Sequence, residues 1–213
     1  MSAIMEAAPR ETAHESGGYV KGVAIGVVTQ NNDDEQLCRV KVKFPWHEDS
    51  SESYWARLAV PMAGDGRGQV MIPEVGDEVL VAFEREDLRF PYVIGGLWNG
   101  QDKPPIANDD GKNDKRIIKS RKKHYLLFDD GSSGVVELAH EKGRKISFDD
   151  NGFVVQDENG NVVQVDSNSG AMTIEAKGQL NIKGATITIE ATGTLEIKAS
   201  ATMTIRGALV NIN

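Results

Sequence analysis

The last part of the chain, residues 172–213, repeats a unit of seven or eight residues. Each unit holds a central isoleucine and a second apolar residue two positions before it. Apolar side chains at positions i and i+2 lie on one face of a β-strand, whereas a helix needs them at i and i+3 or i+4. The pairs are Met172 and Ile174, Leu180 and Ile182, Ile187 and Ile189, Leu195 and Ile197, Met203 and Ile205, and Val210 and Ile212. The repeat therefore predicts short strands that share one apolar face.

A coiled coil is the competing interpretation of a seven-residue period. It is disfavoured because β-branched threonine and isoleucine dominate the repeat, and because small residues recur at each corner between strands. Those corner residues are Gly178, Gly184, Gly193, Ser200 and Gly207. We therefore interpret residues 172–213 as a β-structured segment.

A single copy of such a segment would leave its apolar face half in water and its strand edges unpaired. We therefore expect the chain to associate with itself. Three copies wrapped around a common axis would point every isoleucine row inward and pair each strand with a neighbouring chain. The periodicity favours oligomerisation but does not fix the number of copies.

The front of the chain has a different pattern, with short apolar or alternating runs separated by proline and glycine turns. These runs predict strands at residues 23–28, 38–44, 54–60, 69–72, 78–83 and 92–97. Several short strands without a convincing helix indicate a small barrel or sandwich. The glycines Gly64, Gly66 and Gly68 are interpreted as a plain loop, since no helix start follows them as a phosphate-binding loop requires.

Charge and residue usage exclude several classes of function. The chain has 24 basic and 32 acidic side chains and a net charge of −8, which disfavours nucleic-acid binding. The basic cluster between Lys115 and Lys123 is interpreted as a solvated collar. One cysteine and four scattered histidines give neither a disulfide framework nor a metal site, and no cofactor is expected. Residues 1–18 lack the pattern of a secretory signal, so we expect synthesis and folding in the cytoplasm.

Aspartate-rich turns follow apolar strands upstream of the repeat, at residues 149–152, 157–160 and 166–170. They resemble calcium-binding loops at first sight. Acidic residues followed by Asn-Gly are also the usual chemistry of a tight hairpin turn, and the glycine-rich pattern of calcium β-rolls is missing. The turn interpretation is therefore favoured over an ion site.

The front domain contains five motifs in order: Val40-Lys-Val-Lys-Phe-Pro-Trp46, Tyr54-Trp-Ala-Arg57, Pro61-Met-Ala-Gly-Asp-Gly-Arg-Gly68, Ile72-Pro-Glu-Val-Gly-Asp-Glu-Val-Leu-Val-Ala-Phe83 and Pro91-Tyr-Val-Ile-Gly-Gly-Leu-Trp-Asn99. Together these motifs resemble the OB-fold domain of the VgrG and phage baseplate V spike proteins. The segment Lys119-Ser-Arg-Lys-Lys-His-Tyr-Leu-Leu-Phe-Asp-Asp130 is similar to the strands that lead from that barrel into the spike. The resemblance implies an all-β chain in which an OB barrel precedes an intertwined triple-stranded β-helix, a homotrimeric prism.

The resemblance also implies the parts of that architecture. We expect an N-terminal arm at 1–18, the OB domain at 19–100, a linker at 101–118, a β-rich neck at 119–171 and the regular β-helix at 172–213. The trimer core would consist of Met172, Ile174, Leu180, Ile182, Ile187, Ile189, Leu195, Ile197, Met203 and Ile205.

The implied function is that of a structural central spike in a contractile injection machine. The long hub domain of VgrG chains has no counterpart in residues 1–18, so a separate hub protein is an expected partner. The His-x-His iron motif of some phage spike tips is also missing, so a PAAR-repeat protein is expected to cap the tip. A toxin cargo is a further candidate partner, and contact with the target membrane would be transient. The cap-docking residues would be Val210, Asn211, Ile212 and Asn213.

No enzymatic activity is expected. Residues 99–115 leave no room for the lysozyme domain that some relatives carry, and dispersed carboxylates such as Glu84, Glu86 and Asp87 are interpreted as a solvated strand end. The chain is expected to join a baseplate and to move outward when the machine fires. The alternative function is a trimeric β-helical fibre that binds or degrades surface polysaccharide, although residues 172–213 contain no aromatic residue for sugar contacts.

Overall fold

The computed structural model describes residues 19–47 and 52–212. Within these residues the regular structure consists of β-strands and one 3-10 turn, Glu84–Glu86, so the prediction of an all-β chain is confirmed. None of the described residues lies in a helix long and apolar enough to cross a membrane. The chain divides into two compact units, the first ending at Ala107 and the second beginning at Asn108. The predicted arm, 1–18, lies outside the described residues.

The first unit is a small barrel. Its strands are β1 (Val23–Gln30), β2 (Lys41–Lys43), β3 (Arg57–Leu58), β4 (Ala63–Gly64), β5 (Arg67–Gly68), β6 (Glu78–Phe83) and β7 (Pro91–Gly96). Five strands form one sheet in the order β2-β1-β6-β7-β3, and β4 and β5 form a separate hairpin. The two edges of the sheet are joined by a bridge between Val40 and Ala56, which directly precede β2 and β3. The backbone N–H groups of these two residues donate to each other's carbonyl oxygens at 3.0 and 2.7 Å.

The barrel interior is filled mainly by valine. Alternate residues of β6 are buried, as expected for a strand with one face on a core. β-Branched side chains pack well on a pleated sheet, and the rings of Phe44 and Phe83 add an aromatic contact with centroids 5.6 Å apart. The fully buried side chains are Val28, Val40, Val42, Val79 and Val81.

A buried ion pair holds the loop that follows β1. The Arg39 guanidinium donates to both carboxylate oxygens of Asp33 at 2.8 Å, and only 2% of the Asp33 side chain is exposed. The backbone N–H groups of Glu35 and Leu37 donate to the same carboxylate at 3.1 Å. This bidentate pairing lowers the pKa of Asp33 well below its usual range.

The predicted strand at 69–72 is wrong, because no strand forms there. Pairing occurs instead between β4 and β5, with Gly66 at φ +61° in the turn between them. A Cβ at Gly68 would lie 2.6 Å from the backbone oxygen of Met62, so this hairpin requires glycine. The glycine run is therefore a hairpin. The predicted strand at 78–83 coincides with β6.

The second unit is an antiparallel meander in which every strand pairs with the next one along the chain. Strands of five residues alternate with short turns, so neighbouring side chains stand in register across the sheet. The strands are β8 (Lys115–Lys119), β9 (Tyr125–Asp129), β10 (Val135–Ala139), β11 (Lys145–Asp149), β12 (Gly152–Gln156), β13 (Val162–Asp166) and β14 (Ala171–Glu175).

Residues 176–212, called the ribbon below, follow β14 and contain no assigned strand. Bends occur at 177–178, 185–186, 192–193, 200–201 and 208, which repeats the seven- or eight-residue spacing of the sequence. No backbone-to-backbone hydrogen bond is formed between residues of this segment. The ribbon is thus a bent chain whose backbone groups have no pairing partner within it.

Candidate oligomerisation surface

One face of the meander is almost wholly apolar. The strand register aligns alternate residues into two columns, each crossing all seven strands. The first column contains Arg116, Phe128, Val136, Phe148, Phe153, Val165 and Met172, and the second contains Ile118, Leu126, Leu138, Ile146, Val155, Val163 and Ile174. These two columns are called the apolar face below. Only Arg116 interrupts them, at the edge strand β8.

Much of the apolar face is open to water in the single chain. Leu138 is 55% exposed and Phe148 51% exposed, and the Phe148 ring contacts mainly its cross-strand neighbour Phe153, with centroids 6.1 Å apart. Contiguous apolar patches of this kind mark interaction surfaces, because leaving them wet is unfavourable. The meander therefore presents a surface that suits a protein partner.

The opposite face of the meander mixes apolar residues, such as Ile117, Leu127 and Val154, with polar ones. The Tyr125 hydroxyl and the Lys145 ammonium both donate to the Glu137 carboxylate, the latter at 2.8 Å. Burial raises the pKa of Glu137, but these hydrogen bonds outweigh it and the net pKa is lowered. The same contact with Glu137 raises the pKa of Tyr125. The two faces thus differ in chemistry, and the continuous apolar surface lies on the apolar face.

The predicted core residues fall in two places. Met172 and Ile174 lie in β14 at the end of the two columns. The other eight predicted core residues lie in the ribbon, where all of them are exposed and the single chain does not bring them together. Ile189 is 64% exposed and Ile197 is 65% exposed. The eight residues of the ribbon keep the i and i+2 spacing that the two columns have in the meander. Their role as a trimer core stays a prediction.

Two corners of the ribbon leave little room for a side chain. A Cβ at Gly184 would lie 3.1 Å from the backbone oxygen of Thr186, and one at Gly207 would lie 3.1 Å from that of Leu209. No atom lies within 4 Å of the equivalent position at Gly178 or Gly193. Glycine is therefore sterically favoured at two of the four glycine corners of the repeat.

Sequence reasoning missed the upstream part of the apolar face. It placed the start of the core at Met172, although the columns begin in β8. The signal was present, since apolar-x-apolar triplets recur about every ten residues at Leu126, Val136 and Ile146 and again in the next strands. A search for seven- or eight-residue units passes over this longer period.

The aspartates of the turns act as hydrogen-bond acceptors. Asp149 accepts from the backbone N–H groups of Asn151 and Gly152 at 2.8 and 3.1 Å. Asp157 and Asp166 make similar turns, and hydrogen bonds from the Asn161 and Ser169 side chains are the main cause of their lowered pKa values. This geometry is that of turns built on an aspartate side chain. Among the described residues no cluster of three or more acidic, histidine or cysteine side chains is arranged to hold a metal ion.

The carboxylates considered for catalysis have structural contacts. Glu84 accepts a hydrogen bond from the Tyr92 hydroxyl at 2.6 Å. Asp87 pairs with Arg89 at 2.6 Å, and this hydrogen-bonded pairing lowers the pKa of Asp87 to about 2. These groups support the turn after β6 and its return into β7.

The predicted cap-docking residues lie at the end of the ribbon. Val210 and Ile212 are exposed apolar side chains, and Asn211 between them is also exposed. Asn213 lies outside the described residues. The docking of a cap on these residues stays a prediction.

Comparison with known proteins identifies the barrel. Residues 24–98 match the family model of the type VI secretion system/phage-baseplate injector OB domain. Over these residues the chain is similar to the OB domain of VgrG spike proteins and phage baseplates. The resemblance predicted from the sequence is thereby confirmed, and the match covers the strands that form the closed sheet of the first unit.

Several VgrG proteins are similar to this chain over a little less than half of its length. VgrG3, a type VI secretion system spike protein of Vibrio cholerae, is 35% identical over 109 residues, which cover 47% of this chain and 11% of that protein. The spike protein VgrG2a of Pseudomonas aeruginosa is 34% identical over 101 residues, or 44% and 12% of the two chains. The actin cross-linking toxin VgrG1 of V. cholerae is 30% identical over 109 residues, or 47% and 10%. The chain thus matches only a small part of the length of these relatives.

Proposed function

We propose that this chain is the structural central spike of a contractile injection machine and that it works as a homotrimer. The observation that carries the proposal is the continuity of the apolar pattern from β8 to the end of the ribbon, where the backbone also lacks pairing partners. The match of the barrel to an injector OB domain supports the same role. A single chain leaves both its apolar side chains and its ribbon backbone incompletely satisfied.

In the proposed trimer, three ribbons intertwine as a triple-stranded β-helix. The rows that contain Ile182, Ile189 and Ile197 point toward the axis, and each extended segment pairs with segments of the two other copies. This arrangement removes apolar side chains from water and supplies hydrogen-bond partners to the ribbon backbone. The same association thus buries the apolar side chains and pairs the backbone. Because both are then fixed, the assembled ribbon becomes a stiff rod.

The proposed mechanism is mechanical rather than catalytic. Contraction of a sheath elsewhere in the machine supplies the work, and the rigid prism transmits the force to a narrow tip that pierces the target envelope. The OB barrel binds a hub protein. The chain is made in the cytoplasm, assembles in the baseplate and leaves the cell with any toxin cargo when the machine fires.

The tip of the prism is proposed to bind a PAAR-repeat cap. Three copies of Val210 and Ile212 would form a small apolar surface beside Asn211, and this surface is proposed to contact the cap. Co-expression with a PAAR-repeat protein tests this contact. The full chain should retain the cap during purification, whereas a chain lacking residues 210–213 should remain assembled and lose it.

Native mass spectrometry of the purified chain tests the proposed function as a whole. A species of three chains is expected at micromolar concentration, and a single chain at all concentrations would contradict the proposal. In the source organism, removal of the gene should stop delivery by its injection machine, and the wild-type chain should restore delivery. Continued delivery without this chain would also contradict the proposal.

A further inference from the structure

The two ends of the meander carry opposite charge. At one end the turns after β9, β11 and β13 contain aspartate as their only ionisable residue type. At the other end the turn between β8 and β9 is basic. The acidic end is defined by Asp129, Asp130, Asp149, Asp150 and Asp166, and the basic turn by Lys119, Arg121, Lys122 and Lys123.

Some of these charges are already paired within the chain. Arg116 pairs with Asp130 at 2.5 Å, and Lys115 lies 3.7 Å from Asp129. In contrast, Asp149 and Asp150 make no ion pair with any described residue, and neither do Lys122 and Lys123. The uncompensated charges thus include an acidic pair at the end of β11 and a basic pair in the turn between β8 and β9.

Farther along the same end as the basic turn, the charges are mixed. The turn between β10 and β11 holds Lys142 and Glu141, and Arg144 pairs with Glu158 of the following turn at 2.5 Å. This part of the edge therefore compensates much of its own charge, and the basic excess is concentrated beside β8 and β9.

The acidic pair and the basic pair cannot neutralise each other within one copy. Five-residue strands separate the two ends by about 17 Å. Screening at physiological ionic strength acts over about 8 Å. The attraction between the two ends of one chain is therefore mostly lost, and each end keeps an uncompensated field at the surface.

We infer that the basic turn of one copy binds the Asp149 and Asp150 turn of the next copy around the trimer. The inference rests on the proposed homotrimer. In a closed ring every copy meets one neighbour with one end and the other neighbour with the opposite end. Opposite charges at those ends join the copies head to tail, and like charges disfavour assemblies in which the same ends meet. The pairing thus selects both the partner, which is a second copy of this chain, and the direction of the ring.

Charge reversal tests this contact. Lys122→Glu with Lys123→Glu should raise the concentration at which half of the chains are assembled by at least about tenfold at physiological salt. Asp150→Lys should weaken assembly in the same direction. Asp149 is left unchanged because it holds its own turn. The triple variant carrying all three substitutions should assemble more tightly than the Lys122→Glu/Lys123→Glu variant, because Asp150→Lys replaces one of the two carboxylates that would face the new glutamates with an ammonium group.

Mixing provides a further test of the ring. The Lys122→Glu/Lys123→Glu chain keeps the acidic pair and the Asp150→Lys chain keeps the basic pair, so a head-to-tail ring that contains both chains retains one wild-type contact. The mixture should therefore assemble more tightly than either variant alone. A mixture that assembles no better than the separate variants would contradict the head-to-tail contact.

The control is Lys21→Glu with Lys43→Glu, which makes the same change in net charge on exposed residues of the first unit. The control should assemble as the wild type does, and the differences among variants should fade at about 1 M salt. Circular dichroism checks that each variant keeps its β-structure. A trimeric wild type with unaffected reversal variants overturns this inference alone, whereas a monomeric wild type overturns the proposed function.

Discussion

The replacement of Ile189 and Ile197 by aspartate should abolish assembly. In the single chain these side chains are 64% and 65% exposed. Complete burial of an isoleucine side chain contributes about 1.5–3 kcal/mol, so about 1–2 kcal/mol per side chain remains to be gained on association. In a trimer the three copies of one of these isoleucines would contribute about 3–6 kcal/mol, and the copies of both isoleucines together about 6–12 kcal/mol.

Aspartate removes this gain and adds a second penalty. Three carboxylates would meet at each of the two levels of the prism, away from water and without cations. Burial of unpaired charges costs more than the lost apolar contacts. Since about 1.4 kcal/mol corresponds to a tenfold change in an equilibrium constant, the trimer should be undetectable at micromolar concentration. Native mass spectrometry and sedimentation velocity measure this directly.

The matched control is Thr188→Asp with Thr194→Asp. These residues alternate with the isoleucine and leucine positions, so their side chains point to the opposite side of the strand. The control adds the same negative charge and should remain trimeric. Retention of a stable trimer by the isoleucine variant, or equal dissociation of the threonine control, would refute burial of the isoleucine rows.

Three further predictions concern the meander and the barrel. Phe148→Asp on the apolar face should weaken assembly at least tenfold in sedimentation experiments, whereas Gln164→Asp on the opposite face should not, and equal effects would exclude this face from the interface. Gly152→Ala should destabilise the second unit by more than about 1 kcal/mol in urea unfolding, since its Cβ would lie 2.0 Å from a backbone oxygen of β13. Gly178→Ala, with open space around it, should have little effect. Because the folded barrel lowers the pKa of Asp33, the ion pair should stabilise the barrel at pH values above 3.8, the ordinary pKa of this carboxyl group. This stabilisation should be lost as the pH falls below 3.8. Asp33→Asn should therefore lower the stability at pH 7 and flatten its dependence on pH below about 4, and an unchanged acid profile would contradict the role of the ion pair.

The sequence predicted the β-strands of the barrel where the apolar pattern was long and regular. The strand at 78–83 was placed correctly because five of its six residues are apolar and follow a turn of Gly76 and Asp77. The strand at 69–72 was placed wrongly because its apolar residues suggested a strand. The chain instead pairs β4 with β5, in the hairpin that contains Gly64 and Gly68. Closure of the barrel through Val40 and Ala56 depends on contacts between distant segments, which no local pattern specifies.

The apolar face of the meander was only partly predictable. Each strand shows its own alternation, but the two columns exist because the turns hold all seven strands in one register. A shift of one residue in a single strand would move its apolar side chains to the other face. The acidic and basic ends are likewise a property of the register and of the direction of each turn. Such properties follow from turn geometry rather than from composition.

Corner geometry explains why the same apolar pattern gives a self-paired meander and then an unpaired ribbon. In the meander, Gly143, Gly160 and Gly170 have φ values of +86°, +86° and +71°, which suit the reversal of the chain that brings each strand back against its predecessor. At the ribbon corners, Gly184 and Gly207 do not adopt the left-handed conformation, and the chain bends without reversing. Each ribbon segment is thereby kept from pairing with the one before it. Its hydrogen-bond partners must then come from outside the segment, and in the proposed trimer the other copies supply them.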